Sequence, residues 1–352
     1  MPRELAVQDE VSQCIYKPIS LRQTQVSLIA PCASCLAIQC IGGMCAQLLF
    51  SFASSTGVSS MSTASAEKRR KVTVKSILDK KANKEPIVAL GVYDSPMAAI
   101  SDEIGFDMLI NGNAGPMSLL GHKTPMTVRF EEQLILTQAV SRVTRYGMVV
   151  GHMPYMTYHF SSEDAIRNAA RLICEGGADA VKCEGNRHTA KIVAEIVRAG
   201  IPVMGHMGMQ ASRKLEQSGF GFKGRAAIDA AKIVDDTRAF VDAGAFAVII
   251  EYVPVEITQY LARTLPIPVI SVGGGASPDG IYLISGDAVG YSAFPRPKHE
   301  GSFADVRPLI QQGLRQYKEE VLSQRYPYEE FVQHMSPQEH DKFLKIVEKT
   351  TV

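Results

Sequence analysis

The sequence predicts a (β/α)8 barrel, the TIM-barrel fold, preceded by a leader segment. From Val72 onward, short apolar runs of strand length alternate with longer stretches of helical period. The apolar runs are nearly continuous, which is typical of parallel strands covered by helices on both faces. One pattern also recurs in segments 103–110, 175–182 and 242–249, where a helix ends at a glycine and a buried strand begins. Repeated strand–helix units of this kind favour a closed barrel.

Seven strands are predicted in the body of the chain, and an eighth is expected around 282–292. The seven are residues 86–92, 107–111, 148–152, 179–183, 202–206, 246–250 and 268–272. The clearest helix covers 162–175, where Ser161 stands three residues before Asp164 in a capping pattern and glycines follow the last turn. An open dinucleotide-binding sheet is disfavoured because segment 91–98 lacks the Gly-x-Gly-x-x-Gly loop.

We expect three regions along the chain: a leader at 1–70, which is a targeting or unstructured segment, a barrel at 71–325 and a C-terminal helical extension at 326–352. The 37 basic and 36 acidic residues leave a formal charge of +1. No basic field is present to hold nucleic acid, so a nucleic-acid partner is not expected.

The leader has an unusual composition. Residues 23–66 carry no charged side chain, and five of the seven cysteines lie before position 46. A zinc cluster is disfavoured because the segment is apolar and has no histidine. The segment is a poor membrane span because Pro31 and several polar residues interrupt it, so stable membrane insertion is not expected. The Ser/Thr-rich segment 51–66 suits a mitochondrial presequence whereas the early acidic residues do not, so mitochondrial and cytoplasmic locations both stay open.

Polar residues follow six of the predicted strands, at the ends where barrel enzymes build their active sites. They are Tyr93, Asp94, Asn113, His152, Lys182, Glu184, His206 and Glu251. Any one of them alone is as readily a helix cap, but their convergence predicts a polar pocket. The glycine triplet at 273–275 is compatible with either an anion cradle or a tight turn.

Lys182 and Glu184 lie two residues apart and therefore point to the same side of a strand. A lysine there suits a substrate carboxylate or an enolate oxygen, and a glutamate suits a metal ion or a proton. An internal Lys–Glu pair is the alternative. Glu251 emerges from the apolar run 246–250, which suits a catalytic base, and a helix cap before Pro254 is the alternative.

Several long segments, in order, resemble the ketopantoate hydroxymethyltransferase family. They are residues 74–98, 124–140, 176–185, 199–210, 221–225, 243–254 and 265–275. The resemblance implies a barrel related to phosphoenolpyruvate mutase and isocitrate lyase. It also implies a transferase of pantothenate biosynthesis that enolises 2-oxoisovalerate, a small 2-oxo acid. The hydroxymethyl group would come from methylenetetrahydrofolate, and the product would be 2-dehydropantoate.

The resemblance also implies roles for individual residues. Lys182 resembles the lysine that holds the substrate carboxylate, His206 the substrate-binding histidine, and Glu251 the acid–base glutamate. These three form the expected catalytic set. Asn113 and Ala114 stand where the family reads Asp-Ser, and we expect them beside the substrate. A homo-oligomer is expected on the same grounds.

The expected metal site departs from the family. Glu184 resembles a metal ligand, but Asn113 and His152 replace the two aspartates that would complete the site. Magnesium favours anionic oxygen ligands. The set of amide, imidazole and carboxylate is instead compatible with Mn, Fe, Co or Zn, or with no metal. We therefore expect a divalent metal, Mg in the family, at an altered site, and a more electropositive pocket around Lys182 and His206.

Three functions stay open from the sequence. The first is a working hydroxymethyltransferase of this family with an altered metal site. The second is a divergent enzyme that performs aldol or retro-aldol chemistry on another 2-oxo acid. The third is a catalytically silent homologue. The retained Lys182, Glu184, His206 and Glu251 argue against silence, whereas the two aspartate replacements argue against unaltered chemistry.

Overall fold

The computed structural model describes residues 69–276, 278–292, 294 and 301–349. Eight parallel strands close into a barrel in sequence order, which confirms the predicted fold. The strands are β1 (Ile87–Gly91), β2 (Met108–Asn111), β3 (Met148–His152), β4 (Ala180–Glu184), β5 (Val203–Gly208), β6 (Ala247–Glu251), β7 (Val269–Val272) and β8 (Gly280–Ile284). β8 begins before the predicted segment because Gly280 already pairs with Ile87, and it ends where Ser285 starts a helix.

Helices follow the strands around the outside of the barrel. They are α1 (Val74–Asn83), α2 (Ser95–Ile104), α3 (Ala114–Leu120), α4 (Phe130–Ser141), α5 (Ser162–Cys174), α6 (Ala190–Arg198), α7 (Ala227–Asp242), α8 (Val255–Thr264), α9 (Ser285–Ala288), α10 (Arg307–Leu322) and α11 (Pro337–Lys349), with 3-10 turns at Pro125–Thr127, Ala211–Arg213 and Glu329–Phe331. The predicted cap of α5 is confirmed, because the Ser161 hydroxyl accepts a hydrogen bond from the Asp164 backbone N–H at 3.0 Å.

The predicted leader, with its cysteine run, lies outside the described residues apart from positions 69 and 70. Within the part of the chain that the structure describes, we find no helix with the length and apolarity that a membrane crossing requires.

Strand alternation sends every second side chain into the barrel. In β4, Ala180 belongs to the barrel core, while Val181 and Cys183 pack against the surrounding helices. Lys182 and Glu184 share the parity of Ala180 and therefore point inward. The same alternation carries inward the last polar residues of three neighbouring strands: His152, His206 and Glu251. A layer of polar side chains thus lies above an apolar barrel core.

Three aspartates tie the opposite end of the barrel together. Each accepts a hydrogen bond from the backbone N–H of an adjoining strand: Asp107 from Val88 at 2.9 Å, Asp179 from Val149 at 2.8 Å and Asp279 from Val269 at 2.8 Å. Each also pairs with a lysine from the region of α1: Lys80 at 2.7 Å, Lys71 at 2.7 Å and Lys81 at 2.6 Å, respectively. In TIM barrels this end contributes stability rather than chemistry, so these ion pairs stabilise the scaffold.

The outer face of β1 and β8 lacks the cover that the other strands have. Val88 and Ile281, which are paired in register, are 47% and 44% exposed. α10 carries an apolar row at helical spacing, yet none of its residues is buried among the described part of the chain. The row consists of Ile310, Leu314, Tyr317 and Val321. The described chain therefore presents an uncovered apolar sheet face and an uncovered apolar helix face.

Candidate active site

A cavity of about 580 Å³ opens at the carboxyl ends of the strands. Its lining includes six of the predicted site residues: Asn113, Ala114, Lys182, Glu184, His206 and Glu251. The seventh, His152, is fully buried and is not part of that lining. Strand alternation and register therefore bring the expected catalytic set into one space.

Lys182 places a cation in the floor of this cavity. Its Nζ lies 3.3 Å from Nδ1 of His206 and 4.0 Å from Oε1 of Glu184. Burial lowers the pKa of the Lys182 ammonium, while the carboxylates of Glu184 and Glu251 act in the opposite direction. The ammonium is thus positioned to bind an anionic oxygen within the cavity.

Glu184 is held by two hydrogen bonds, one to each carboxylate oxygen. Asn113 donates from Nδ2 to Oε1 at 2.6 Å, and the backbone N–H of Ser212 donates to Oε2 at 2.8 Å. Asn113 Nδ2 also lies 3.2 Å from the Ser212 hydroxyl oxygen. Burial opposes ionisation, but the neighbouring cationic groups, above all His206, hold the pKa of Glu184 below its usual range. Glu184 is therefore a fixed, buried carboxylate.

His206 stands between two carboxylates. Its Nε2 lies 2.9 Å from Oε2 of Glu251, and its Nδ1 lies 3.5 Å from Oε1 of Glu184. Burial and Lys182 oppose protonation of the ring, but the two carboxylates outweigh them and raise the pKa of His206. The Glu251 side chain is 16% exposed and faces the cavity. It is placed to exchange a proton with a bound molecule.

His152 is buried outside the cavity lining, level with Lys182 in the strand register. Neither ring nitrogen has a hydrogen-bond partner among the described residues. Burial, with a further contribution from Lys182, brings the pKa of His152 well below its ordinary value. The ring is therefore neutral at neutral pH.

These residues do not fit a magnesium ion as they are arranged. Asn113 presents an NH2 group to Glu184, both Glu184 oxygens accept hydrogen bonds, and His152 lies off the cavity. Within the described residues, no three His, Cys, Asp or Glu side chains are grouped so that they could hold a metal ion. The divalent-metal prediction gains no support from this geometry.

Ser212 and Tyr282 are among the residues of the cavity region that sequence reasoning missed. Ser212 lies in the 3-10 turn after β5 and reaches Glu184 only because that turn folds back over the strand ends. Tyr282 lines the cavity from β8. The direction of its side chain could not be predicted before the bounds of that strand were known. Gly91 leaves room for it: a Cβ there would lie 2.6 Å from the Tyr93 hydroxyl oxygen and 2.8 Å from that of Tyr282.

The glycine triplet forms a tight turn. Gly273 and Gly275 have φ angles of 64° and 88°, in the left-handed region that favours glycine. A Cβ on Gly274 would lie 2.8 Å from Cγ2 of Thr258 in α8. The cavity lining includes Val272 but none of the three glycines, so the structure supports the turn over the anion cradle.

Comparison with known proteins identifies a family that this chain resembles. The family model described as ketopantoate hydroxymethyltransferase matches residues 71–329. The 3-methyl-2-oxobutanoate hydroxymethyltransferase of Carboxydothermus hydrogenoformans is 38% identical over 268 residues, which is 76% of this chain and 97% of that protein. The enzyme of the same name from Pyrobaculum islandicum is 39% identical over 256 residues, 73% and 97% of the two chains.

A solved structure supports the fold independently. Phosphonopyruvate hydrolase superposes with a TM-score of 0.51 at 11% identity, covering 80% of this chain and 99% of that one. At that identity the likeness concerns the barrel alone. The match of the family model across most of the chain, together with relatives that are covered almost completely, shows that the chain belongs to the ketopantoate hydroxymethyltransferase family, a family of enzymes.

Proposed function

We propose that this chain catalyses the hydroxymethyltransferase reaction of its family. It would enolise 2-oxoisovalerate and transfer a hydroxymethyl group from methylenetetrahydrofolate, giving 2-dehydropantoate for pantothenate biosynthesis. One observation carries the proposal: Lys182, His206 and Glu251 converge on one cavity from three adjacent strands. They do so in a chain that is 38% identical to a named 3-methyl-2-oxobutanoate hydroxymethyltransferase.

The proposed roles follow from the contacts. The Lys182 ammonium binds the substrate carboxylate and the 2-oxo oxygen. The Glu251 carboxylate takes the proton from C3, and the electrons of that C–H bond move into the C2–C3 bond. The negative charge that develops on the 2-oxo oxygen is stabilised by Lys182, with His206 beside it. Water adds to the methylene carbon of methylenetetrahydrofolate and its two carbon–nitrogen bonds break, which releases formaldehyde and tetrahydrofolate. The C3 carbon of the enolate then bonds to the formaldehyde carbon, the 2-oxo group re-forms, and the alkoxide oxygen takes the proton back from Glu251 to become the hydroxyl.

We also propose that the protein is a homo-oligomer, in line with the expectation from the family. The support is the uncovered face around Val88 and Ile281, together with the uncovered apolar row of α10. An apolar helix of one copy laid against the apolar sheet face of another would bury both surfaces.

A second candidate is aldol or retro-aldol chemistry on a different 2-oxo acid. The observation that favours it is the hydrogen bond from Asn113 to Glu184. It shows a neutral amide in this pocket at a position where the family has a carboxylate. Such a change alters which substrate oxygens the pocket recognises. The pocket would then take a different 2-oxo acid, and Glu251 would still act as the enolising base.

Product analysis separates the two candidates. Purified protein is incubated with 2-oxoisovalerate and methylenetetrahydrofolate, and 2-dehydropantoate is measured by mass spectrometry. The proposal expects product with the native chain, loss with Glu251→Gln and retention with Glu256→Gln, which makes the same change on an exposed residue of α8. Rescue of a pantothenate auxotroph is expected in parallel. Absence of product and of rescue, with folded protein, would contradict the first candidate.

A further inference from the structure

Both carboxylate oxygens of Glu184 accept hydrogen bonds from protein groups. Each oxygen accepts a hydrogen bond from an N–H donor, Oε1 from Asn113 and Oε2 from the backbone of Ser212, at 2.6 and 2.8 Å. The residue is 1% exposed, so the two hydrogen bonds are largely shielded from bulk solvent. A hard divalent cation is held by lone pairs directed at it. In this chain one lone pair on each Glu184 oxygen is directed at a protein donor.

The orientation of the Asn113 amide is fixed by its two partners. An ionised carboxylate only accepts hydrogen bonds, so the amide must turn its NH2 towards Glu184. The same nitrogen lies 3.2 Å from the Ser212 hydroxyl oxygen, which accounts for its second hydrogen. Ligation of an ion together with Glu184 would require the carbonyl oxygen of Asn113 on that side. The hydrogen bond from Asn113 Nδ2 to Oε1 of Glu184 would then be lost.

The neighbouring groups add a second obstacle. The Lys182 ammonium lies 4.0 Å from Oε1 of Glu184, so an ion bound to that oxygen would stand within about 6 Å of a buried positive charge. Like charges in a water-poor site repel strongly. The imidazole of His152, which has no hydrogen-bond partner among the described residues, is not part of the cavity lining.

We infer that this pocket binds and enolises its 2-oxo acid without a divalent metal ion, the Lys182 ammonium holding the carboxylate and the 2-oxo oxygen. This inference rests on the proposed function. Nζ lies 3.3 Å from Nδ1 of His206, which is its one polar contact within hydrogen-bond distance among the described residues, so at least two of its N–H groups are left for the two oxygens of the acid. Glu251 takes the C3 proton, and the enolate oxygen that forms stays on Lys182.

Metal binding and anion binding test the inference without any turnover. Mn²⁺ is titrated into the protein and followed by electron paramagnetic resonance, which distinguishes the free ion from the bound ion. Oxalate, a planar dianion shaped like the enolate of a 2-oxo acid, is titrated by calorimetry in EDTA. The expected result is that Mn²⁺ stays free and oxalate binds in the presence of the chelator. The doubly substituted chain Asn113→Asp with His152→Asp, which restores two carboxylates, serves as the positive control and is expected to bind Mn²⁺.

Stoichiometric binding of Mn²⁺ by the native chain would overturn the inference. Oxalate that binds only with a metal present, or that fails to bind under either condition, would overturn it as well. These measurements use the native protein, so they are decisive even if the doubly substituted chain fails to fold.

Deuterium exchange at C3 of 2-oxoisovalerate supplies the catalytic readout. We expect equal rates in EDTA and in Mg²⁺, within about twofold, whereas removal of an essential catalytic metal costs several kcal/mol, or about 10³-fold. A rate that collapses in EDTA would contradict the inference. No exchange under either condition would contradict the proposed function, and the Mn²⁺ and oxalate titrations would still decide the question of the metal.

Discussion

At the scale of single residues, the arrangement of the cavity depends on the contacts of Glu184. A carboxylate that is 1% exposed is stable only when its oxygens are satisfied, and here Asn113 and Ser212 satisfy them. Lys182 and His206 stand on the other side of the same carboxylate. Glu184 therefore orients the two groups that face the substrate, even though its own oxygens are engaged.

Replacing Asn113 by alanine removes the donor to Oε1 and leaves a buried charge partly unsatisfied. We expect the free energy of unfolding to fall by about 2 kcal/mol. Urea denaturation followed by circular dichroism measures it. Asn83→Ala is the matched control, because Asn83 is exposed and is expected to change stability by no more than about 0.5 kcal/mol. Equal stability of the Asn113 variant and the native chain would contradict a stabilising hydrogen bond from Asn113 to Glu184.

The residues that could be predicted from the sequence are those fixed by strand alternation. Lys182, Glu184, His206 and Glu251 follow apolar runs whose parity is readable, and all four line the cavity. Ser212 was not predictable, because its contact with Glu184 depends on how a turn folds back in three dimensions.

At the scale of elements, α2 secures the entry of β3. The Asp102 carboxylate accepts hydrogen bonds from three successive backbone N–H groups, those of Arg145, Tyr146 and Gly147, at 2.9, 3.0 and 2.7 Å. Asp102 is 4% exposed. Since β3 begins at Met148, this single side chain fixes the loop through which the strand enters the barrel.

Asp102→Ala leaves three backbone donors without their acceptor. We expect the free energy of unfolding to fall by about 3 kcal/mol at neutral pH, because hydrogen bonds to a charged acceptor are among the stronger ones. Asp79→Ala removes an exposed pair with Lys75 and is expected to cost under about 0.5 kcal/mol. Chemical denaturation of both variants checks the difference, and equal losses would rule out the special role of Asp102.

The same carboxylate predicts a pH dependence. Burial opposes ionisation, but the three N–H donors outweigh it and lower the pKa of Asp102 from its usual 3.8. A lowered pKa in the folded state means that the stabilisation is complete above pH 3.8 and is lost as the pH falls through the folded value. The stability difference between the native chain and Asp102→Ala should therefore shrink below pH 3.8. Denaturation curves across pH 2–7 test this, and a constant difference would contradict it.

Element types were more predictable than element ends. The apolar runs identified β1 to β7 because buried parallel strands are nearly continuous in apolar residues. The bounds of β8 were not predictable, because the polar residues from Ser285 onward start a short helix directly after the strand.

At the scale of the whole molecule, the barrel is complete as a sheet, but among the described residues its helical cover is incomplete. Val88 and Ile281 leave an apolar strip exposed, and α10 presents an apolar row without burying it in the described chain. The sequence predicted the closed sheet but not this gap, since helical periodicity identifies an apolar row and does not show which surface covers it.

Leu314→Asp places a charge in the centre of the apolar row of α10. Because Leu314 is 63% exposed in the single chain, we expect the fold to survive and the homo-oligomer to dissociate. Sedimentation velocity measures the mass, and circular dichroism checks the fold. Gln312→Asp, on the polar side of the same helix, is expected to leave the mass unchanged. A native chain that sediments as a single copy would contradict the proposed assembly.

The central claim is that this cavity enolises a 2-oxo acid, with Glu251 as the base. Proton NMR of 2-oxoisovalerate in D₂O measures it most directly, because loss of the C3 proton signal requires no knowledge of the one-carbon donor. The prediction is enzyme-dependent exchange that falls about 10²–10⁴-fold in Glu251→Gln and is retained in Glu256→Gln. Absence of exchange with folded native protein, or equal exchange in the native chain and Glu251→Gln, would contradict it.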